Sequence, residues 1–222
     1  MIKNGMYAIF EYDKCDKNVI DDLDNYLSNN YERIVSFFDK DLVVPKINIK
    51  IYSTKKEFDE EVGKKIFGDN VPLWVIGSFN DNKINYVSYN DYKNTSHKDE
   101  SYEYFLKTII HEYVHYIEYE YSKYIGSKMP VKYINEGLAC YLSGQYDNEK
   151  FKIINYEELI NSRTCYKWWY FIIKYIIEVR GKEYLFELFK DWGLANNELK
   201  ILVEEINNYY ELLRDNKEFT MK

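Results

Sequence analysis

The chain has 222 residues, of which 46% are hydrophobic and 30% charged, enough apolar material for one folded domain of ordinary size. Its net charge of −7 and the lack of a basic run exclude nucleic acid and anionic membrane surfaces as expected partners, because both require clustered cations. The three cysteines form no CxxC pair, which argues against a disulfide framework and a thiolate metal site.

Strand and helix patterns alternate through the first hundred residues. Residues 18–40 carry apolar side chains at helical spacing, which predicts a long amphipathic helix. Ser53 or Thr54 is expected to cap the start of a second helix. Period-two alternation predicts strands at residues 6–12, 47–52, 73–79 and 83–89. The last two strands are joined by "NDN", which favours a hairpin turn.

From about residue 100 onward, the patterns are helical. The predicted helices are residues 101–123, 131–145, 156–160, 165–179, 181–191 and 196–214. Strands followed by helices indicate an α+β fold, with a small N-terminal mixed sheet and a helix, and then a mainly helical half. We expect a single domain over residues 1–222, with a sheet-containing part in 1–100 and a helical part in 101–222.

The most apolar segment is residues 168–179. It carries Lys174 and is shorter than the roughly 20 residues that cross a bilayer, so we expect a buried core helix. The first residues contain no apolar stretch of the length that a signal peptide needs. We therefore expect a cytoplasmic protein with no membrane partner. Nothing in the sequence predicts an oligomeric state.

The segment "IIHEYVH" (109–115) contains two of the three histidines. His111 and His115 are four residues apart, so on a helix both rings project from one face and can bind one ion at about 2.0–2.1 Å. Glu112 follows the first histidine but is rotated off the ligand direction, where it can accept a proton from a water on the metal. The pattern predicts a zinc-binding helix that carries a general base.

A catalytic zinc site needs a third protein ligand and keeps its fourth position for water. Glu136 lies in "YINEGLACYLSG" (133–144), which also has a helical pattern, and 20 residues separate it from His115. That interval is long enough for the chain to end one helix, turn and begin another beside it. We therefore predict one Zn²⁺ ion bound by His111, His115 and Glu136, with Glu112 as the catalytic base.

At these residues the chain resembles the gluzincin metallopeptidases, in particular the small peptidase MA-like domains. "HEYVH" followed by "NEGLACYLSG" carries the resemblance, and the order of strands and helices is similar over most of residues 6–192. The resemblance implies a zincin-like fold and zinc-dependent hydrolysis of peptide bonds, with a peptide or protein as substrate. It also implies a tyrosine or histidine that donates to the tetrahedral intermediate. Tyr166 matches that place best, followed by Tyr170 and Tyr175.

Two departures from the family matter. The glycine-methionine-glutamate-asparagine signature by which large aminopeptidases hold a substrate amino terminus is absent, and the comparable strand reads "GSFNDNKINYV". We therefore expect an endopeptidase, which cleaves within chains. Thermolysin-like enzymes carry an acid four residues after the glutamate ligand, where it orients a histidine ligand, and this chain has Cys140 there. The sequence does not identify the group that orients the histidines here.

Three further features have weaker functional interpretations. His97 lies in the polar loop "NTSHKDE" and is expected to be a solvated loop residue. "KINYVSY" (83–89) is either an edge strand to which an extended peptide adds by main-chain hydrogen bonds, or an interior strand. The aromatic run at residues 168–171 is expected in the core rather than in a substrate pocket.

Two other functions fit the same motif. A binding or regulatory protein would hold zinc without hydrolysis, but it leaves Glu112 unexplained, because a structural site has no use for a base beside an open metal position. The same site can also hydrolyse a non-peptide amide or ester. Zinc content and peptide cleavage, measured together, separate the first alternative from a peptidase.

Overall fold

The computed structural model describes residues 1–162 and 164–220. The chain divides into two compact units, Met1–Tyr124 and Ile125–Lys222. The first unit contains a sheet and the helix that carries "HEYVH", and the second unit is helical. The predicted α+β class is therefore confirmed, with a small mixed sheet in the N-terminal half and helices in the C-terminal half. The single domain over 1–222 and the zincin-like character stay predictions.

Within the described residues, the first unit contains one five-stranded mixed sheet. Its strands are β1 (Ile2–Asn4), β2 (Ala8–Glu11), β3 (Ile47–Tyr52), β4 (Gly77–Asn80) and β5 (Lys83–Val87). Their order is β1-β2-β3-β5-β4, with the β2–β3 and β3–β5 pairs parallel and the two outer pairs antiparallel. Strand β3 shows why these residues form strands, because Ile47, Ile49 and Ile51 are buried and alternate with polar residues.

The predicted hairpin is formed by β4 and β5. Its turn residues Asp81 and Asn82 both have positive φ, 48° and 55°, which is the geometry that a tight hairpin turn requires. Strand β4 starts at Gly77 rather than at residue 73, because the preceding residues form a turn in which the Val75 N–H donates to the Pro72 carbonyl, 3.1 Å away. Strand β5 lies between β3 and β4, so "KINYVSY" is an interior strand and β4 forms the edge of the sheet on that side.

The helices of the first unit are α1 (Lys17–Phe38), α2 (Lys55–Phe58), α3 (Lys64–Phe67) and α4 (Tyr102–Tyr124), with a π-helical turn between α2 and α3 at Asp59–Gly63. Thr54 is the N-cap of α2: its hydroxyl accepts from the Glu57 N–H, and the Glu57 carboxylate accepts from the Thr54 N–H. Helix α4 packs against α1 and β4. The motif helix is thereby fixed to the edge of the sheet.

A buried carboxylate connects the start of α1 to the sheet. Asp16 is fully buried and accepts hydrogen bonds from the hydroxyls of Ser53 and Ser88 and from the Asn90 amide. Ser53 directly follows β3, and Ser88 directly follows β5. Because a buried carboxylate is stable only when its oxygens are hydrogen-bonded, these contacts hold the two strand ends and the helix start together.

The helices of the second unit are α5 (Lys132–Ser143), α6 (Tyr156–Asn161), α7 (Tyr166–Tyr175), α8 (Lys182–Lys190) and α9 (Trp192–Thr220). The apolar segment 168–179 falls in α7 and in a π-helical turn, Ile176–Arg180, and its buried residues confirm the predicted core helix. Helices α5 and α7 pack closely side by side. None of the helices in the described residues has the length and apolar content that crossing a bilayer requires.

Candidate metal centre

Helix α4 brings the two motif histidines together. The Nε2 atoms of His111 and His115 are 3.1 Å apart, and the two rings are nearly perpendicular. Two nitrogens that bind one zinc ion at about 2.0–2.1 Å with a tetrahedral angle lie about 3.3–3.4 Å apart. The observed spacing is within a few tenths of an ångström of that value. The predicted convergence of the two imidazoles is therefore confirmed.

Glu136 belongs to the same group of ligand atoms. Among the described residues, one set of His, Cys, Asp and Glu side chains is arranged so that it could hold an ion: His111, His115 and Glu136, whose ligand atoms all lie within 4.8 Å of one another. Glu136 is half-buried and lies in the N-terminal half of α5, where the sequence places it. Two imidazole nitrogens and one carboxylate oxygen are the donor set of an open catalytic zinc site.

One carboxylate that contacts this group, Glu118, was not predicted from the sequence. Glu118 Oε2 lies 2.9 Å from Nδ1 of His115, one helical turn further along α4, and the Glu118 side chain is fully buried. The signal was present, since an acid three residues after a histidine lies beside it on a helix. However, Glu103 and Glu120 lie on the same helix, and only the burial in the fold separates Glu118 from them.

Cys140, four residues after Glu136, lies in an apolar environment. It is fully buried and forms an apolar cluster with Tyr170 and Phe171, with Tyr166 packed against that cluster. The thiol therefore has a packing role in the second unit.

The carboxylate of Glu112 lies against the sheet edge. A Cβ atom added to Gly77 would be 3.0 Å from Glu112 Oε1 and 2.5 Å from Cδ2 of Tyr86. The Tyr86 ring is fully buried, and its hydroxyl is hydrogen-bonded to the hydroxyls of Tyr92 and Thr108. Burial raises the pKa of the Tyr86 phenol well above its ordinary value, and the Glu112 carboxylate adds to that shift. The Glu112 carboxylate and the Tyr86 ring thus both border the space that Gly77 leaves open by having no side chain.

The edge of β4 beside Glu112 offers free main-chain groups. The Val87 N–H donates to the Ile76 carbonyl at 2.8 Å, so hydrogen-bonded pairs along this antiparallel ladder recur at Ser78 and Asn80. The N–H and C=O groups of Gly77 and Phe79 consequently point away from β5. No strand in the described residues pairs with that side of β4.

We expect Gly77→Ala to destabilise the protein by about 1 kcal/mol, because the new methyl group enters space held by the Tyr86 ring and the Glu112 carboxylate. Equilibrium unfolding in urea measures the change. Ser78→Ala is the matched control in the same strand: the Ser78 hydroxyl is buried without a hydrogen-bond partner among the described residues, so its removal costs little. Equal stability of the Gly77→Ala variant and the wild type would show that this close approach is not needed.

The three tyrosines proposed as donors lie on α7. The Tyr170 hydroxyl donates to Asp147 at 3.2 Å, and the Tyr175 hydroxyl donates to Glu205 at 3.3 Å, so both phenols have carboxylate partners in the second unit. Tyr166 is half-buried and is the first residue of the helix. Its assignment as a catalytic residue stays a prediction.

His97 is a partly exposed loop residue that contacts two residues outside its loop. Its Nε2 lies 3.0 Å from the Trp74 carbonyl, and its ring stacks on Tyr104. These contacts connect the loop to the turn that precedes β4. They account for His97 as a structural residue.

Comparisons with models of known protein families, with curated proteins and with solved structures found no match to this chain.

Proposed function

We propose that this protein is a zinc-dependent endopeptidase of the gluzincin type, which hydrolyses bonds within extended peptide chains. The observation that carries the proposal is the convergence of ligand atoms from His111, His115 and Glu136. Glu112 supports it further, because its carboxylate lies next to the histidine pair and against an unpaired strand edge. Glu112 has no purpose in a purely structural zinc site, whereas a hydrolase requires a base at this place.

The two histidines and Glu136 would hold the metal ion, with one position left for water and substrate. A zinc ion bound there supplies Lewis acidity, which makes a water more acidic and polarises the scissile carbonyl. The side chains suit this ion, since imidazole and carboxylate are both common zinc ligands and the histidine nitrogens already have the required spacing.

Glu112 acts as the general base in the proposed reaction. Its carboxylate takes a proton from the attacking water while the water oxygen bonds to the carbonyl carbon. It then gives that proton to the amide nitrogen as the C–N bond breaks, so that a carboxylic acid and an amine are released. Tyr166 is proposed to donate a hydrogen bond to the oxygen that gains negative charge.

The free edge of β4 favours a peptide over another amide as the substrate. An extended peptide can form main-chain hydrogen bonds with Gly77 and Phe79, which would place its backbone beside Glu112. A small amide or ester has no extended backbone to use these groups. The same argument favours unfolded or extended segments over compact proteins as substrates.

The proposal is tested on purified protein with two measurements. Metal analysis after dialysis is expected to give one zinc per chain. Incubation with a mixed peptide library, read by mass spectrometry, is expected to show cleavage at internal bonds. A zinc chelator should abolish this cleavage, and added zinc should restore it, because the proposed reaction depends on the Lewis acidity of the zinc ion. Simple amides and esters are tested in parallel as alternative substrates.

Each other outcome contradicts a defined part of the proposal. One zinc per chain without any cleavage would favour a binding or regulatory protein. Hydrolysis of esters or simple amides, with the peptides left intact, would favour the non-peptide alternative. Peptide cleavage that persists in a chelator would remove the metal from the reaction.

A further inference from the structure

Glu118 is a buried acid that the proposed reaction does not use. Its side chain is fully buried on α4, and its Oε2 lies 2.9 Å from Nδ1 of His115. A buried carboxylate is costly unless a hydrogen-bonded partner offsets its desolvation. The contact with His115 supplies such a partner, and it does so at a histidine whose other nitrogen faces His111.

The chemistry of this contact determines where the proton of His115 lies. A neutral imidazole has one N–H donor and one acceptor nitrogen, whereas an ionised carboxylate can only accept. Glu118 therefore favours the tautomer of His115 with the hydrogen on Nδ1. Nε2 is then left with a lone pair directed at the neighbouring ring, 3.1 Å from Nε2 of His111.

We propose that Glu118 is a positioning residue for the metal centre, which holds the His115 ring and keeps its Nε2 free to bind the ion. The inference rests on the proposed function for the role of the metal, and it concerns the ligand His115 rather than the reacting atoms. A carboxylate behind a metal-binding imidazole fixes the ring orientation and raises its strength as a ligand.

The tautomer can be measured without metal or substrate. The wild-type protein is first freed of metal with a chelator. Nitrogen-15 NMR at about pH 8.5, well above the usual imidazole pKa of about 6.5, then distinguishes the two neutral tautomers of a histidine. The chain has three histidines, so substitutions of His97 and of His115, made separately, identify the signals of these two residues, and the remaining signals belong to His111. We expect His115 to carry its proton on Nδ1, the nitrogen that faces Glu118. A proton on Nε2 of His115 would overturn the inference.

Metal affinity provides the second test. Glu118→Gln keeps the size of the side chain and removes its charge, and we expect zinc binding measured by chelator competition to weaken by about 10–100-fold. Glu120→Gln is the matched control two residues away, since Glu120 pairs with Lys123 rather than with a histidine. Equal zinc affinity of Glu118→Gln and the wild type, with circular dichroism unchanged, would contradict the positioning role. If Glu118→Gln does not fold, the wild-type NMR experiment decides.

These results are separable from the test of the peptidase. Zinc binding by the wild type without peptide cleavage would contradict the proposed function. The His115 tautomer and the zinc affinity of Glu118→Gln would still test the role of Glu118, because neither measurement depends on peptide cleavage.

Discussion

Glu112→Gln is expected to lower kcat for peptide cleavage by about 10²–10⁴-fold, the usual contribution of a general base, while zinc content stays at one ion per chain. The amide of glutamine has the same size as the carboxylate but cannot accept the proton of the attacking water. The measurement is steady-state cleavage of a library-derived peptide, together with metal analysis of the same preparation.

The proposal requires that the Glu112→Gln variant loses activity but still binds zinc. The Glu112 carboxylate borders the open space beside Gly77, and the amide of glutamine has the same size, so it fits the same place. KM should change little, because Glu112 acts on the water rather than on the bound peptide.

Glu103→Gln is the matched control for this experiment. Glu103 lies on the same helix, pairs with Lys107 and is 70% exposed, so the same chemical change there should leave activity unchanged. Retained activity in the Glu112→Gln variant would show that another group accepts the proton. Loss of zinc from it would instead indicate a role in metal binding.

The elements of the fold followed from local patterns in the sequence. Alternating isoleucines predict β3, and the helical stripe at residues 18–40 predicts α1, because each pattern reflects a face that must be buried. Strand β1 was not predicted, since its three residues have too few apolar side chains for a periodic signal. The order of the strands was also not predictable: whether β5 is interior depends on pairing between distant segments, which local periodicity does not encode.

In the candidate site too, local features could be predicted from the sequence and contacts between distant segments could not. The spacing of His111 and His115 determines a geometry within one helix, so the sequence alone predicts their convergence. Glu118 was not predicted because its proposed role depends on burial next to His115, and burial is a property of the whole fold. Gly77 was part of a strand in the sequence reading, but its closeness to Glu112 arises from the packing of α4 on β4.

The glycine that follows Glu136 in the second motif has a packing explanation. A Cβ atom added to Gly137 would lie 2.5 Å from Cγ1 of Ile173 and 2.7 Å from the backbone carbonyl oxygen of Trp169. Both neighbours belong to α7, so the absence of a side chain is what allows α5 and α7 to pack at this distance. The motif therefore joins the proposed metal ligand Glu136 to the residue that fixes the position of its helix.

We expect Gly137→Ala to destabilise the protein by about 2 kcal/mol, which corresponds to a fall in Tm of roughly 4–8 °C for a chain of this length. Two effects compete. Alanine favours the helix by about 0.5–1 kcal/mol relative to glycine, but the added methyl group would overlap a backbone oxygen that no side-chain rotation can move. The cost of the overlap is expected to exceed the gain in helix propensity, because α5 and α7 must separate along their whole contact to relieve the overlap. Thermal unfolding followed by circular dichroism gives the measurement.

Gly193→Ala provides the matched control, because it makes the same change in a helix of the same unit. Gly193 is exposed on α9, and the nearest atom to its added Cβ is the Asp191 carboxylate oxygen at 3.3 Å, which accepts a hydrogen bond from the Leu194 N–H and has to shift by only a few tenths of an ångström. The gain in helix propensity is expected to offset this small shift, so Tm should stay nearly constant. If Gly137→Ala behaved like Gly193→Ala, the contact between α5 and α7 would have to be looser than the structure describes, and Glu136 would lose the support that its helix receives from α7.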